Sequence, residues 1–297
     1  MKRRLGKIAA AFLVFVLTTG AATLAQAQAP TFTVLYSFMG SPDGNGPYLA
    51  ALILDKAGNL YGTTNAGGTG TCSLGRIGPS PGCGTVFKLD TAGNETVLHS
   101  FTGSDGSGPA ASLIMDTAGN LYGTTSSGGS ASVGTVFKID TSGNQTVLHS
   151  FAGSDGSGPD AGLIMDNAGN LYGTTSSGGS ASVGTVFKID TSGNETVLYN
   201  FKGGTDGARP EAGLIMDQAG NLYGTTLAGG TGTCSYLSSG CGTIFKLDTS
   251  GNETVLHSFT GSPGDGANPF AALILDGAGN LYGTTLAGGP GTCNFSP

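Results

Sequence analysis

Beyond residue 30 the chain carries its apolar residues in short runs with strand-like alternation, each closed by glycine, asparagine or aspartate. Ala111-Ser112-Leu113-Ile114-Met115-Asp116 and Asn120-Leu121-Tyr122-Gly123-Thr124-Thr125 flank a Gly-containing turn and predict a hairpin. Thr135 to Asp140 and Gln145 to Phe151 predict a second hairpin across Thr141-Ser142-Gly143-Asn144. An aspartate stands ahead of each turn, where its carboxylate can accept hydrogen bonds from amides two residues on. Helical period is absent after the N-terminal segment.

The hairpins recur. Asp-x-Ala-Gly-Asn-Leu-Tyr-Gly-Thr-Thr places its aspartate at 55, 116, 166, 217 and 276, and residues 118–144 and 168–194 are identical. Gly-Thr-Val/Ile-Phe-Lys starts at Gly84, Gly134, Gly184 and Gly242, and Thr-Val-Leu-His/Tyr at Thr33, Thr96, Thr146, Thr196 and Thr254. Four short strands per unit of about 50 residues make a β-propeller blade. A parallel β-helix has shorter coils without two hairpins per period, and kelch and WD-type blades use a tryptophan that this chain lacks. The expected fold is therefore all-β: a β-propeller of four complete four-stranded blades, at about 49–101, 110–151, 160–201 and 211–259, plus a partial fifth at 271–297. Each blade is expected to follow the strand pattern 49–55, 59–64, 84–90 and 95–101, and an N-terminal outer strand is expected at 31–38.

Composition changes this picture at the ends and in the choice of partners. Lys2, Arg3, Arg4 and Lys7 precede an apolar stretch from Ile8 to about Ala22 and then Ala25-Gln26-Ala27, which reads as a signal peptide over 1–27, cleaved after Ala27. The stretch is shorter than the roughly 20 residues that span a bilayer. No membrane span is expected in the mature chain, and its location is secreted or extracytoplasmic. The formal charge is −7, and cleavage removes those four basic residues. Nucleic acid is excluded as a partner, because its binding needs clustered Lys and Arg. The 55 glycines and 12 prolines would suggest disorder without periodicity, and with it they read as turns.

The run Leu-Ile-Met-Asp-x-Ala-Gly-Asn-Leu-Tyr-Gly-Thr-Thr, followed by Gly-Gly, Gly-Thr-Val-Phe-Lys and Val-Leu-His-Ser-Phe, resembles the GloVer (Gloeo-Verruco) tandem repeat of bacterial secreted proteins, over essentially all of 31–297. The resemblance implies a propeller-like extracytoplasmic protein, often with a C-terminal surface anchor, and implies no activity. No such anchor is recognisable after these repeats.

Cysteines occur only with insertions. The two long-loop copies carry Cys72 with Cys83 and Cys234 with Cys241, and the short-loop copies carry none. In an exported protein the expectation is one disulfide per loop, contributing roughly 3 kcal/mol on the chain-entropy account. Zinc is the competing reading, but neither pair has metal-knuckle spacing and no histidine lies nearby. The final copy supplies only its first two strands, Ala271–Asp276 and Asn280–Thr285, before Pro297. The chain is therefore expected to be cut short, forming an arc or a ring with one defective blade, with Cys293 unpaired.

No catalytic, cofactor-binding or metal-binding residues are expected. His99, His149 and His257 occupy a position that holds Tyr36 and Tyr199 in other copies, which suits a half-buried outer-strand side chain better than a ligand or base. Asp105-Gly106-Ser107-Gly108-Pro109 and Asp155-Gly156-Ser157-Gly158-Pro159-Asp160 resemble calcium loops, but most copies supply a single Asp, and they are read as turns. Asn94, Asn144, Asn194 and Asn252 form sequons, but the hairpin turns account for them. Catalysis needs a unique constellation, whereas near-identical blades supply equivalent positions. The charged residues that break the repeat are few: Lys56, Arg76, Asp160, Lys202, Arg209 and Glu211. The functional expectation is a non-enzymatic scaffold or interaction surface with a protein or glycan partner. A glycan or surface-polymer binding module is the alternative, in which exposed Tyr61, Tyr122, Tyr172, Tyr223 and Tyr282 would stack on sugars. A propeller enzyme using one interblade loop ranks behind both.

Overall fold

The computed structural model describes residues 32–48, 50–72, 82–234 and 239–289. Met1–Leu35 and Tyr36–Pro297 are separate compact units, and the repeats lie in the second. Cys293 and residues 1–27, where a signal peptide is expected, lie outside the described residues.

Four sheets of four antiparallel strands form in chain order, each a simple meander. Blade 1 is Ile53–Leu54, Leu60–Thr64, Thr85–Leu89 and Glu95–Ser100. Blade 2 is Ile114–Met115, Leu121–Thr125, Thr135–Ile139 and Gln145–Ser150. Blade 3 is Ile164–Met165, Leu171–Thr175, Thr185–Ile189 and Glu195–Asn200. Blade 4 is Ile215–Met216, Leu222–Thr226, Thr243–Leu247 and Glu253–Ser258. The fifth repeat contributes two short pairs among the described residues, Ile274–Leu275 with Leu281–Tyr282 and Gly266–Ala267 with Ala287–Gly288. Among the described residues the helical content is a single 3-10 turn, Gly204–Asp206.

Each first strand is two residues long rather than the seven expected. The residues ahead of it are held by the neighbouring blade: Thr63 Oγ1 donates to the Ala111 carbonyl at 3.3 Å, Thr124 to Ala161 at 3.2 Å and Thr174 to Ala212 at 3.3 Å. Those carbonyls are thus satisfied without a strand partner. The strand expected at 31–38 does not form, since residues 32–38 carry no strand. A fourth-position strand takes its ladder from the third strand of its own blade, and among the described residues nothing pairs with this segment in that way.

The core lies between blades. Val136 and Phe151 of blade 2 pack with Leu163, Leu171, Phe187 and Ile189 of blade 3, and the equivalent residues repeat at the neighbouring junctions. Phe151 meets Phe187 edge to face at 5.1 Å, as Phe101 meets Phe137 at 5.0 Å and Phe201 meets Phe245 at 5.1 Å. A glycine beneath each third-strand phenylalanine makes room for the ring. A Cβ built on Gly173 would stand 2.6 Å from Phe187 Cζ. At the two ends of the described repeats apolar strand residues are exposed: Leu54 of blade 1 is 66% exposed and Ile274 of the fifth repeat 67%.

Candidate functional site

Most polar side chains of the repeat are consumed by the blade itself. In every first hairpin the aspartate closes the turn. Asp166 Oδ1 accepts from the Ala168 and Asn170 amides, and Oδ2 accepts from Asn170 Nδ2 at 2.7 Å and Tyr172 OH at 3.0 Å. Its equivalents Asp55 and Asp276, held first by their asparagines, are lowered to about 2. The sequon asparagines do the same work in the second hairpin, as Asn194 Nδ2 donates to Asp190 at 2.9 Å. Tyr61, Tyr122, Tyr172 and Tyr223 are half-buried beneath the ammonium groups of Lys88, Lys138, Lys188 and Lys246, 5.6–5.9 Å from the ring centres. Burial and the Asp116 bond push the Tyr122 phenol up to about 12. These tyrosines form no open stacking platform. Tyr282, with no third strand beside it among the described residues, is 53% exposed.

The calcium-like loops are also closed by their own aspartates. Asp105 and Asp155 accept from the backbone amides of Thr102 and Ala152 through Oδ1, while Oδ2 lies 2.8 and 2.9 Å from Nε2 of His99 and His149. Tyr36 to Asp43, Tyr199 to Asp206 and His257 to Asp265 are the same contact. Tyrosine and histidine interchange here because each offers a ring-borne donor to one carboxylate. Both expected disulfides are present, Cys72–Cys83 and Cys234–Cys241. No helix among the described residues is long and apolar enough to cross a membrane.

What the repeat does not fix gathers in one place. After the proline that enters each blade stand Tyr48, Ala110, Asp160, Glu211 and Phe270, and all five line a single cavity of about 860 Å³. The remaining wall is largely alanine, glycine and serine from the same five repeats, including Ala111, Ser112, Gly162 and Gly213. Ser176 donates to Asp160 at 2.9 Å, and Arg209 donates to Glu211 at 2.6 Å. Tyr48 is 52% and Phe270 39% exposed. Arg209 has φ 59° at a position where Gly46, Gly108 and Gly158 have φ 64–67° and Asn268 has 56°. Only this copy carries a long side chain in the left-handed region. Sequence reading singled out Asp160, Arg209 and Glu211 by charge but missed Tyr48 and Phe270. Their shared place after proline was the available signal.

A second grouping crosses a blade junction. The third-to-fourth-strand register of blade 2 shifts between Val147 and His149. This bulge lets Leu148 pack on blade 3 while His149 turns to Asp155. Glu195, which begins the fourth strand of blade 3, completes the group: ligand atoms of His149, Asp155 and Glu195 all lie within 4.8 Å of one another. Burial first, then the Asp155 charge, push Glu195 up to about 7.

Meandering four-stranded blades around a common cavity, with their cores between blades, define a repeat-built β-propeller. Over residues 69–294 the chain matches the Gloeobacter/Verrucomicrobia repeat, and it belongs to that family. No curated protein matches it. Among solved structures it is similar to a streptogramin B lyase, at 12% identity over 84% of this chain and 71% of that one, TM-score 0.51. It is also similar to a gluconolactonase from Xanthomonas campestris (15%, 80% and 68%, 0.44) and to virginiamycin B lyase from Staphylococcus aureus (12%, 81% and 84%, 0.41). At such identities the likeness concerns the fold.

Proposed function

We propose that this is a non-enzymatic, secreted repeat protein that works as an interaction surface, and that its recognition face is the cavity lined by the residue after each entering proline. The observation that carries this reading is the contrast between constancy and variation. Aspartates, tyrosines, histidines and threonines that repeat are tied into blade hydrogen bonds, while Tyr, Ala, Asp, Glu and Phe alternate at one position facing one cavity. Repeat scaffolds bind by varying such positions on a fixed frame. The basic and apolar N-terminal segment and the two disulfides support export.

The chemistry of the lining favours a carbohydrate or surface polymer as the partner. Tyr48 and Phe270 offer partly exposed aromatic faces, and Asp160 and Glu211 offer acceptors for hydroxyl groups. The test is a glycan array probed with purified mature protein, alongside turnover assays with lactone and lyase substrates. Carbohydrate binding without turnover is the expected outcome. Turnover abolished by Asp160→Asn or Glu211→Gln would make the cavity an active site instead.

A further inference from the structure

We propose that His149, Asp155 and Glu195 form a divalent metal site at the junction of blades 2 and 3, with zinc-like preference. It is independent of the central cavity. His149 Nε2 and Asp155 Oδ2 are 2.9 Å apart, and the Glu195 carboxylate completes a set within 4.8 Å. Two ligands on one tetrahedral zinc stand a little over ~3 Å apart, so rotamer-scale movement brings all three onto one ion. The His149 ring is held edge to face against Phe151 at 4.8 Å, which fixes its aim. Glu195 Oε1 is shut off from solvent and has no hydrogen-bond partner. A buried acceptor left without a donor costs stability, and a cation between two carboxylates and an imidazole satisfies it. One imidazole nitrogen with two carboxylate oxygens suits zinc better than calcium or magnesium, which take oxygen donors. His149 is 20% exposed, so a fourth position can hold water.

Four equivalent positions lack the full donor set; at one of them, His257 with Asp265, no third His, Cys, Asp or Glu ligand completes a set among the described residues. Glu95 and Glu253 carry the same unpartnered buried oxygen and Gln145 an unpartnered buried amide nitrogen in its place, so an unpartnered polar atom at this position belongs to the repeat. Beside Asp43 and Asp206, however, stand Tyr36 and Tyr199, whose phenols remain protonated at neutral pH. Beside His99 and Asp105 the third residue is Gln145, paired with Ile139 as Glu195 is with Ile189. The repeat thus supplies its own conservative substitutions: Tyr at position 149 and Gln at position 195 already occur in neighbouring blades.

The experiment is calorimetric titration of ZnCl₂ into tag-free, chelator-treated protein with free thiols alkylated. One equivalent is expected to bind, more tightly at pH 8 than at pH 6, because ligation releases protons. His149→Tyr and Glu195→Gln are each expected to weaken it by at least about tenfold, while His99→Tyr leaves it unchanged. Gln145→Glu completes a second set with His99 and Asp105 and is expected to raise the stoichiometry to two. Absence of binding, equal binding by His149→Tyr or Glu195→Gln, or a stoichiometry unchanged by Gln145→Glu would overturn the assignment.

Discussion

Glu195 and Glu253 begin equivalent strands, and burial first, then Asp155 or Asp206, raises each from 4.5 to about 7. The folded state therefore holds these protons more tightly than the unfolded one. Their stabilising effect is full below about pH 4.5 and is lost as pH rises through about 7. In metal-free protein, the melting temperature of wild type should fall relative to that of E195Q/E253Q between about pH 5 and pH 8, and the two should converge near about pH 4. Parallel curves would contradict the burial of these carboxyls. Arg209 makes a second residue-scale prediction. Its φ of 59° is one that glycine adopts in three other copies, so Arg209→Gly should raise stability by up to about 1 kcal/mol in denaturant unfolding. A loss of stability would mean that its pairing with Glu211 outweighs the strain. At this scale the sequence marks which residues break the repeat. It does not reveal that Glu195 meets His149, because a blade junction brings together residues far apart in the chain.

At the scale of the element, the hairpins were legible because their determinants are local: an aspartate, a glycine and an asparagine within five positions fix both the turn and its side-chain bonds. The short first strand was not, since what occupies its backbone is a threonine of the adjacent blade. The glycine of Leu-Tyr-Gly-Thr-Thr has its reason in packing. Gly173→Ala would drive a methyl to 2.6 Å from Phe187 Cζ, and should cost about 2 kcal/mol with the fold retained. Equal stability in urea unfolding would mean that the ring is free to move. The disulfides were legible from insertions paired with cysteines. Thiol titration of unfolded, unreduced protein should find one free thiol per chain of five cysteines, and five would contradict both bridges.

For the whole molecule, stability is a chain of blade-to-blade interfaces, each built on one edge-to-face phenylalanine pair. Phe151→Ala should cost about 3–5 kcal/mol, and Phe201→Ala a similar amount, since the two junctions are near copies. The same repetition that made the propeller readable concealed its recognition face. A cavity shared by five repeats is visible only when Tyr48, Asp160, Glu211 and Phe270 are brought to one wall. The claim that function lies where the repeat varies is tested most directly by measuring, by calorimetry, the affinity for the strongest array ligand of wild type and of the Y48A/D160A/E211A/F270A variant. The account predicts a loss of at least about a hundredfold in the variant, roughly 2.7 kcal/mol, with an unchanged melting profile. Retained affinity in that well-folded variant would contradict it.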